Sequence, residues 1–258
     1  MSKPKVITGY TPVTTFNDDN YAILVDKNGG ILPISKASLR SAILGGFDLN
    51  DIYDNVFIMY HRKSDDFPLM VKPQYWPSIQ NGGEVAEGVV VVEGGHVLVV
   101  APTESASNLL WSSADITTGN PLITDRLVAM NDWDGKAKTA KIIAASSDKS
   151  VTNTAQYAAG FCNLYSRTNA NGKGLTAGRW WLPSVAEWMM VYANMMKINH
   201  CLSLINGATL LVRDWYWLST ERHASNAWTL GLDGGYLDYW SNKSQDKNHV
   251  RPVSAFLQ

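Results

Sequence analysis

An α+β fold is predicted by three stretches of this sequence. The run Gly88–Val100, GVVVVEGGHVLVV, holds two β-branched segments joined by Glu93-Gly94-Gly95, a tight-hairpin signature. At Leu182-Pro183-Ser184 a helix opens, because Ser184 and Glu187 stand at capping-box spacing. From Asp214 onward large aromatics recur at Trp215, Trp217, Trp228 and Trp240 among polar residues, a strand-like pattern.

The elements follow in order. The chain has 258 residues and 45% hydrophobic content, room for one large domain with a small appendage. Ten tryptophans are present, yet none precedes Trp76, which sets an N-terminal segment, residues 1–50, apart from 51–258. Residues 1–20 lack helical periodicity and carry Pro4 and Pro12. Tyr21–Val25 and Ile31–Ile34 are strand candidates around an Asp26–Gly30 turn. A short helix is expected from Ser35 or Lys36, with Leu39, Ile43 and Leu44 on one face, then a linker over Gly45–Asn50. Val56–Tyr60 and Met70–Lys72 are short strands before the hairpin. A helix is expected over Asn153–Tyr165, with Ala155, Ala158, Phe161, Cys162 and Tyr165 on one face. In the helix from Ser184, Val185, Trp188, Met189, Tyr192, Met195 and Met196 form a stripe that reads as core. After Asn206-Gly207 the chain is strand-like. Trp228, Leu230 and Leu232 alternate with Thr229, Gly231 and Asp233, so one set is expected inside and the other outside.

Composition narrows the function classes. A net charge of −1 gives no electrostatic case for nucleic acid or an anionic membrane. No apolar run approaches a membrane span, and the start MSKPKVITGY has no signal-peptide core, so cytoplasmic assembly is expected. Cys162 and Cys201 lack metal-type spacing and read as buried free thiols. None of the five histidines pairs at ligand spacing. Asn131–Gly135, NDWDG, reads as a turn without the remaining calcium ligands. Asn171–Gly174, NGKG, lacks the P-loop frame and reads as a flexible loop. With no G-x-S-x-G either, no enzyme activity, metal or cofactor is expected.

Three motifs near the C-terminus carry a resemblance: W-Y-W-x-S-T-E at Trp215–Glu221, A-W-x-L at Ala227–Leu230, and V-R-P-V-S-A-F at Val250–Phe256. They resemble the C-terminus of variable proteins diversified by retroelements, which have a C-type lectin-like fold. Gly178–Ser184, and the run from Val56 through the hairpin, are similar to the same family. The N-terminal strand-turn-strand-helix pattern is similar to attachment segments of phage tail fibre proteins. In the resembled family, adenines of a template repeat are randomised during reverse transcription. A codon AAC or AAT then becomes any codon ending in a pyrimidine, which excludes Trp, Met, Lys, Glu and Gln.

The resemblance implies a ligand-binding variable face. Its candidates are Asp214, Arg222, His223, Ser225, Asn226, Thr229, Gly231, Asp233, Tyr236, Asp238, Tyr239, Ser244, Asp246, Asn248 and His249, all of permitted types. Trp215, Trp217, Glu221, Trp228, Trp240, Lys243, Gln245 and Lys247 are of excluded types and read as frame. Trp240 fits either an exposed anchor or the frame by its alternation, with the frame favoured. Tyr, Ser, Asn and Gly give large amphipathic contacts and adaptable hydrogen bonds at low entropic cost. The calcium-lectin signatures E-P-N and Q-P-D are absent. Formylglycine-generating enzymes share the wider fold, but Cys162 and Cys201 are not placed as their reactive pair. The implied function is non-catalytic recognition of a host-cell surface receptor, protein or glycan, by a tail protein of the virion. The N-terminus would contact other tail proteins and form a homotrimer. A bacterial surface adhesin of the same family, or a structural tail protein, is the alternative.

Overall fold

The structure is a computed structural model that describes residues 21–25, 31–35, 55–146 and 151–256. The chain divides into two compact units, Met1–Asp54 and Asn55–Gln258. In the first, β1 (Tyr21–Val25) and β2 (Ile31–Ser35) pair antiparallel with Val25 opposite Ile31. The turn at 26–30, the helix expected from Ser35 or Lys36, the 45–50 linker and residues 1–20 lie outside the described residues.

The second unit is a mixed α+β structure with several antiparallel sheets. It opens with β3 (Val56–His61), β4 (Pro68–Val71) and a short helix α1 (Trp76–Asn81). The hairpin β5 (Gly88–Glu93) and β6 (His96–Val100) follows, then β7 (Leu109–Leu110). Gly94 and Gly95 both have positive φ, 57° and 83°, which a two-residue hairpin turn matched to strand twist requires. Next come helices α2 (Arg126–Ala129), α3 (Gly135–Ala144) and α4 (Ala158–Leu164), and the small hairpin β8 (Arg167–Thr168) and β9 (Gly174–Leu175). Helices α5 (Val185–Ala193) and α6 (Met195–Ser203) lead into β10 (Trp215–Glu221), β11 (Ala227–Gly231), β12 (Tyr236–Asp238), β13 (Lys247–Asn248) and β14 (Val253–Ser254).

The larger sheet runs β14-β6-β5-β3-β4. Val56, Ile58, Val89, Val91, Leu98 and Val100 join the main core with Val185, Trp188 and Val191 of α5 and Ile198 of α6. Met59, Val90 and Val99 pack with Leu175 and Trp180 in a separate cluster. Burial on both faces explains why the β5 sequence is an unbroken valine run rather than an alternation. The V-R-P-V-S-A-F motif closes this sheet. Val253 pairs with Val100, and Arg251, buried, donates from Nε to the Ala101 carbonyl at 2.7 Å and from Nη2 to Thr209 O at 2.8 Å.

The second sheet, β10-β11-β12, corrects a sequence expectation. Tyr216, Leu218, Trp228 and Leu230 enter the main core with Trp188. Trp217 and Ala227 enter another cluster with Trp111, Ile142 of α3, and Ala158 and Cys162 of α4. The strand alternation therefore separates two cores, not core from solvent. Thr229 is fully buried, with Oγ1 3.0 Å from Ser241 Oγ. Gly231 is buried as well, beneath the ring of Trp215. Neither is on an exposed face.

Two helical readings also change. Helix α4 starts at Ala158, not Asn153, and Ala155 is exposed. Thr152 Oγ1 donates to Ile142 O at 2.7 Å and Asn153 Nδ2 to Ser146 O at 2.5 Å, tying these residues to the end of α3 instead of to a new helix. The capping box at Ser184 and Glu187 is present, but the helix it opens breaks at Asn194. The Asn194 side chain donates to Met190 O (2.9 Å) and to Glu93 Oε2 (2.5 Å). Beyond the break the stripe turns outward, and Met196 is 77% exposed. The NDWDG segment is the entry to α3. Asp134 is its N-cap residue, and buried Asp132 receives Lys138 Nζ at 2.8 Å. The NGKG loop is an ordered hairpin turn in which Asn169 Oδ1 accepts from the Asn171 and Lys173 amides, both at 2.9 Å. Cys162 and Cys201 are buried and unbridged.

The first turn of α5 gives the fold a pH dependence. Glu187 is buried beside Trp181 Nε1, and burial pushes its carboxyl up to about 7, against the hydrogen bonds from Ser184 and Trp181. A carboxyl raised in the folded state stabilises the fold below its unfolded pKa and loses that contribution as pH rises through about 7. Urea titrations should show stability falling by on the order of 3 kcal/mol between pH 5 and pH 8.5, with Glu187→Gln flattening the profile. A profile identical in wild type and variant would contradict this.

Candidate functional site

The frame beneath the C-terminal loops is built from buried polar contacts. Lys243 plunges inward so that Nζ lies 2.5 Å from Glu221 Oε2, with both side chains inaccessible to solvent. Lys243 Nζ also donates to Ile116 O at 3.2 Å and sits 4.3 Å over the Trp111 ring. Burial pulls the Lys243 ammonium down from its ordinary range, and Glu221 opposes that pull. The other Glu221 oxygen accepts from Thr118 Oγ1 and from Asn120 Nδ2. The indole N–H groups of Trp217 and Trp228 donate to Leu109 O and Ile123 O, both at 2.8 Å.

On this frame the candidate residues fall into separate groups. The first is the β10–β11 loop with the segment after β12. The Arg222 and His223 amides both donate to Asn226 O at 3.1 Å, closing a tight loop. His223 Nδ1 lies 3.1 Å from Ser225 Oγ, Ser225 Oγ donates to Asn226 Oδ1 (2.8 Å), and Asn226 Nδ2 donates to Trp240 O (2.8 Å). The Arg222 guanidinium lies 4.3 Å from the Tyr239 ring centroid and 5.0 Å from that of Trp240. Tyr239 meets Trp228 edge-on at 5.4 Å, so it is half frame and half surface. Trp240 is 65% exposed. Its exposure overturns the frame assignment: regular strand ends at Asp238, which is half-buried, and the inside-outside alternation ends with it.

A second group joins Asp214 and His249. His249 Nδ1 lies 3.1 Å from Glu104 Oε1 and Nε2 lies 3.3 Å from Asp214 Oδ2. The Tyr216 hydroxyl donates to Glu104 Oε2 at 2.8 Å, and burial followed by the Glu104 charge pushes its pKa up. Asp233 and Tyr236 form a third group at the β11–β12 turn, where Tyr236 is 66% exposed and its ring covers Gly234. In the fourth, Asn242 Oδ1 accepts from the Ser244 amide at 3.0 Å and Asp246 Oδ2 accepts from the Asn242 amide at 2.6 Å. Ser244 and Asp246 thus shape their own loop, and half-buried Asn248 of β13 pairs with Leu109 of β7. Gln245 and Lys247, read as frame, are exposed.

Two residues of these groups escaped sequence reasoning. Glu104 has no motif around it and is recruited from far along the chain. Trp240 was legible only as an ambiguity. Among the described residues, no helix is long and apolar enough to cross a membrane.

No protein-family model and no curated protein matches the chain. Among solved structures the chain is similar to a fimbrial protein from Bacteroides ovatus ATCC 8483, at 16% identity and a TM-score of 0.45. The match covers 62% of this chain and 36% of that one, so the chain spans little more than a third of that protein's length.

Proposed function

We propose that this chain is a non-catalytic receptor-binding protein with a C-type lectin-like domain, a variable protein of the retroelement-diversified kind, carried at a phage tail. The observation that supports this best is the division of labour around β10–β12. A sheet buried on both faces is locked by the Lys243–Glu221 pair, and its loops hold a cluster of Arg, Tyr, Trp, His, Ser and Asn at the surface. Rigid aromatic and Arg anchors with adaptable polar neighbours suit protein or glycan recognition. Modest affinity at one site is multiplied when many copies engage one cell.

Fluorescently labelled full chain should bind host bacteria, and Tyr236→Ala with Trp240→Ala should remove that binding while leaving the circular dichroism unchanged. Undiminished cell binding by this double variant would place recognition elsewhere. The N-terminal segment is too small for a substantial core of its own, so we expect self-association through it. Light scattering of the intact chain at micromolar concentration should report a homotrimer; a monomer would contradict the assembly.

A further inference from the structure

The Arg222 guanidinium is a charged group of this surface that no carboxylate among the described residues compensates. Tyr239 and Trp240 lie together on one side of it, with ring centroids 4.3 and 5.0 Å away and 4.9 Å from each other. Its Nε is buried without any acceptor, and among the described residues no carboxylate pairs with it. The terminal amines are left towards solvent, next to an indole that is 65% exposed. Rings accept no conventional hydrogen bond, so the free terminal amines need an outside acceptor, and the ligand that fits a guanidinium's fork is a planar anion accepting two parallel N–H bonds.

From this geometry, and resting on the receptor-binding reading above, we propose that Arg222 and Trp240 form a subsite for a carboxylate-bearing sugar, such as a sialic or uronic acid residue of a surface glycan. The pyranose C–H face lies on the open indole of Trp240, and the carboxylate meets the Arg222 amines. The sugar hydroxyls find the His223 ring and the Ser225–Asn226 pair, which are already ordered by their own hydrogen bonds. Pre-ordered groups lose little freedom on binding. An acidic peptide would satisfy the guanidinium but leave the indole uncovered, so the sugar is the better match to both features.

The test is a glycan array probed with the full chain. It carries 3′-sialyllactose and oligogalacturonate, their neutral counterparts lactose and carboxyl-reduced oligogalacturonate, and Glu-rich peptides. Carboxylated sugars should bind roughly tenfold or more tightly than the neutral forms, the range of a hydrogen-bonded charge pair. Arg222→Gln should abolish that preference, Arg222→Lys should restore it only partly, and Trp240→Ala should weaken carboxylated and neutral forms alike. Melting curves identify any variant that fails to fold; because Trp240 is largely exposed, its substitution remains informative if Arg222 variants unfold. Equal binding of acidic and neutral sugars overturns the inference, as does binding of the acidic peptides alone. If no sugar binds while cell binding still depends on Tyr236 and Trp240, the subsite is wrong and the receptor-binding reading stands. If cell binding does not depend on them, that reading fails with it.

Discussion

Lys243→Met should lower the free energy of unfolding by about 3–5 kcal/mol. The substitution leaves the Glu221 carboxylate inside the protein without its counter-charge, since both side chains are fully buried and 2.5 Å apart. Thr118 and Asn120 still donate to Glu221, but hydrogen bonds alone do not replace a full charge in a low-dielectric interior. The effect reaches the surface, because the Lys243 amide donates to Ser225 O at 2.8 Å and so pins the β10–β11 loop. Pairing the change with Glu221→Leu should recover most of the loss, as apolar replacement of a buried pair is often neutral. Urea denaturation of the single and double variants checks this. A single-variant loss under about 1 kcal/mol, the range of surface ion pairs, would mean that water reaches the pair.

Trp217→Ala and Trp228→Ala should each cost about 3–5 kcal/mol as core truncations. Each ring is fully buried in a different cluster, and each removal also takes away a hydrogen bond to a part-buried carbonyl, Leu109 O or Ile123 O. Trp240→Ala and Tyr236→Ala, at exposed positions, should stay within about 0.5 kcal/mol. Tyr239→Ala should fall between the two groups because its ring packs on Trp228. Thermal melts decide; equal losses for Trp228→Ala and Trp240→Ala would dissolve the distinction between frame and surface.

Much of the scaffold was legible in local chemistry. The Gly94-Gly95 hairpin, the Ser184 capping box and the strands at Val56, Trp215 and Ala227 depend on neighbours a few residues apart, and a linear reading finds them. What escaped depends on distant partners. Asn194 breaks a helix through Glu93, and Thr152 is drawn from a helix by Ile142. Helix α3 was invisible because its buried positions include Lys138 and Thr139, satisfied by Asp132 and Leu182. Thr229 and Gly231 were misplaced for a related reason: period-two alternation reports two faces but not what covers each. The loop residues Arg222, His223, Ser225 and Asn226 were found as a group, yet their partnership with Trp240 needed the fold.

The proposed function requires these loops and the strand ends beside them, not the buried sheet below, to be the diversified recognition surface. Sequencing the DNA that flanks the coding region is the decisive measurement. A reverse transcriptase gene and a near-copy of the 3′ end of the coding sequence, differing at adenines, should be found there. Those differences should fall in codons for exposed or half-buried residues of the loops and the start of β12, such as Arg222, His223, Asn226, Asp233 and Tyr236, and spare Trp217, Glu221, Trp228 and Lys243. The absence of any such repeat, or mismatches spread evenly into the codons of the buried frame, would contradict it.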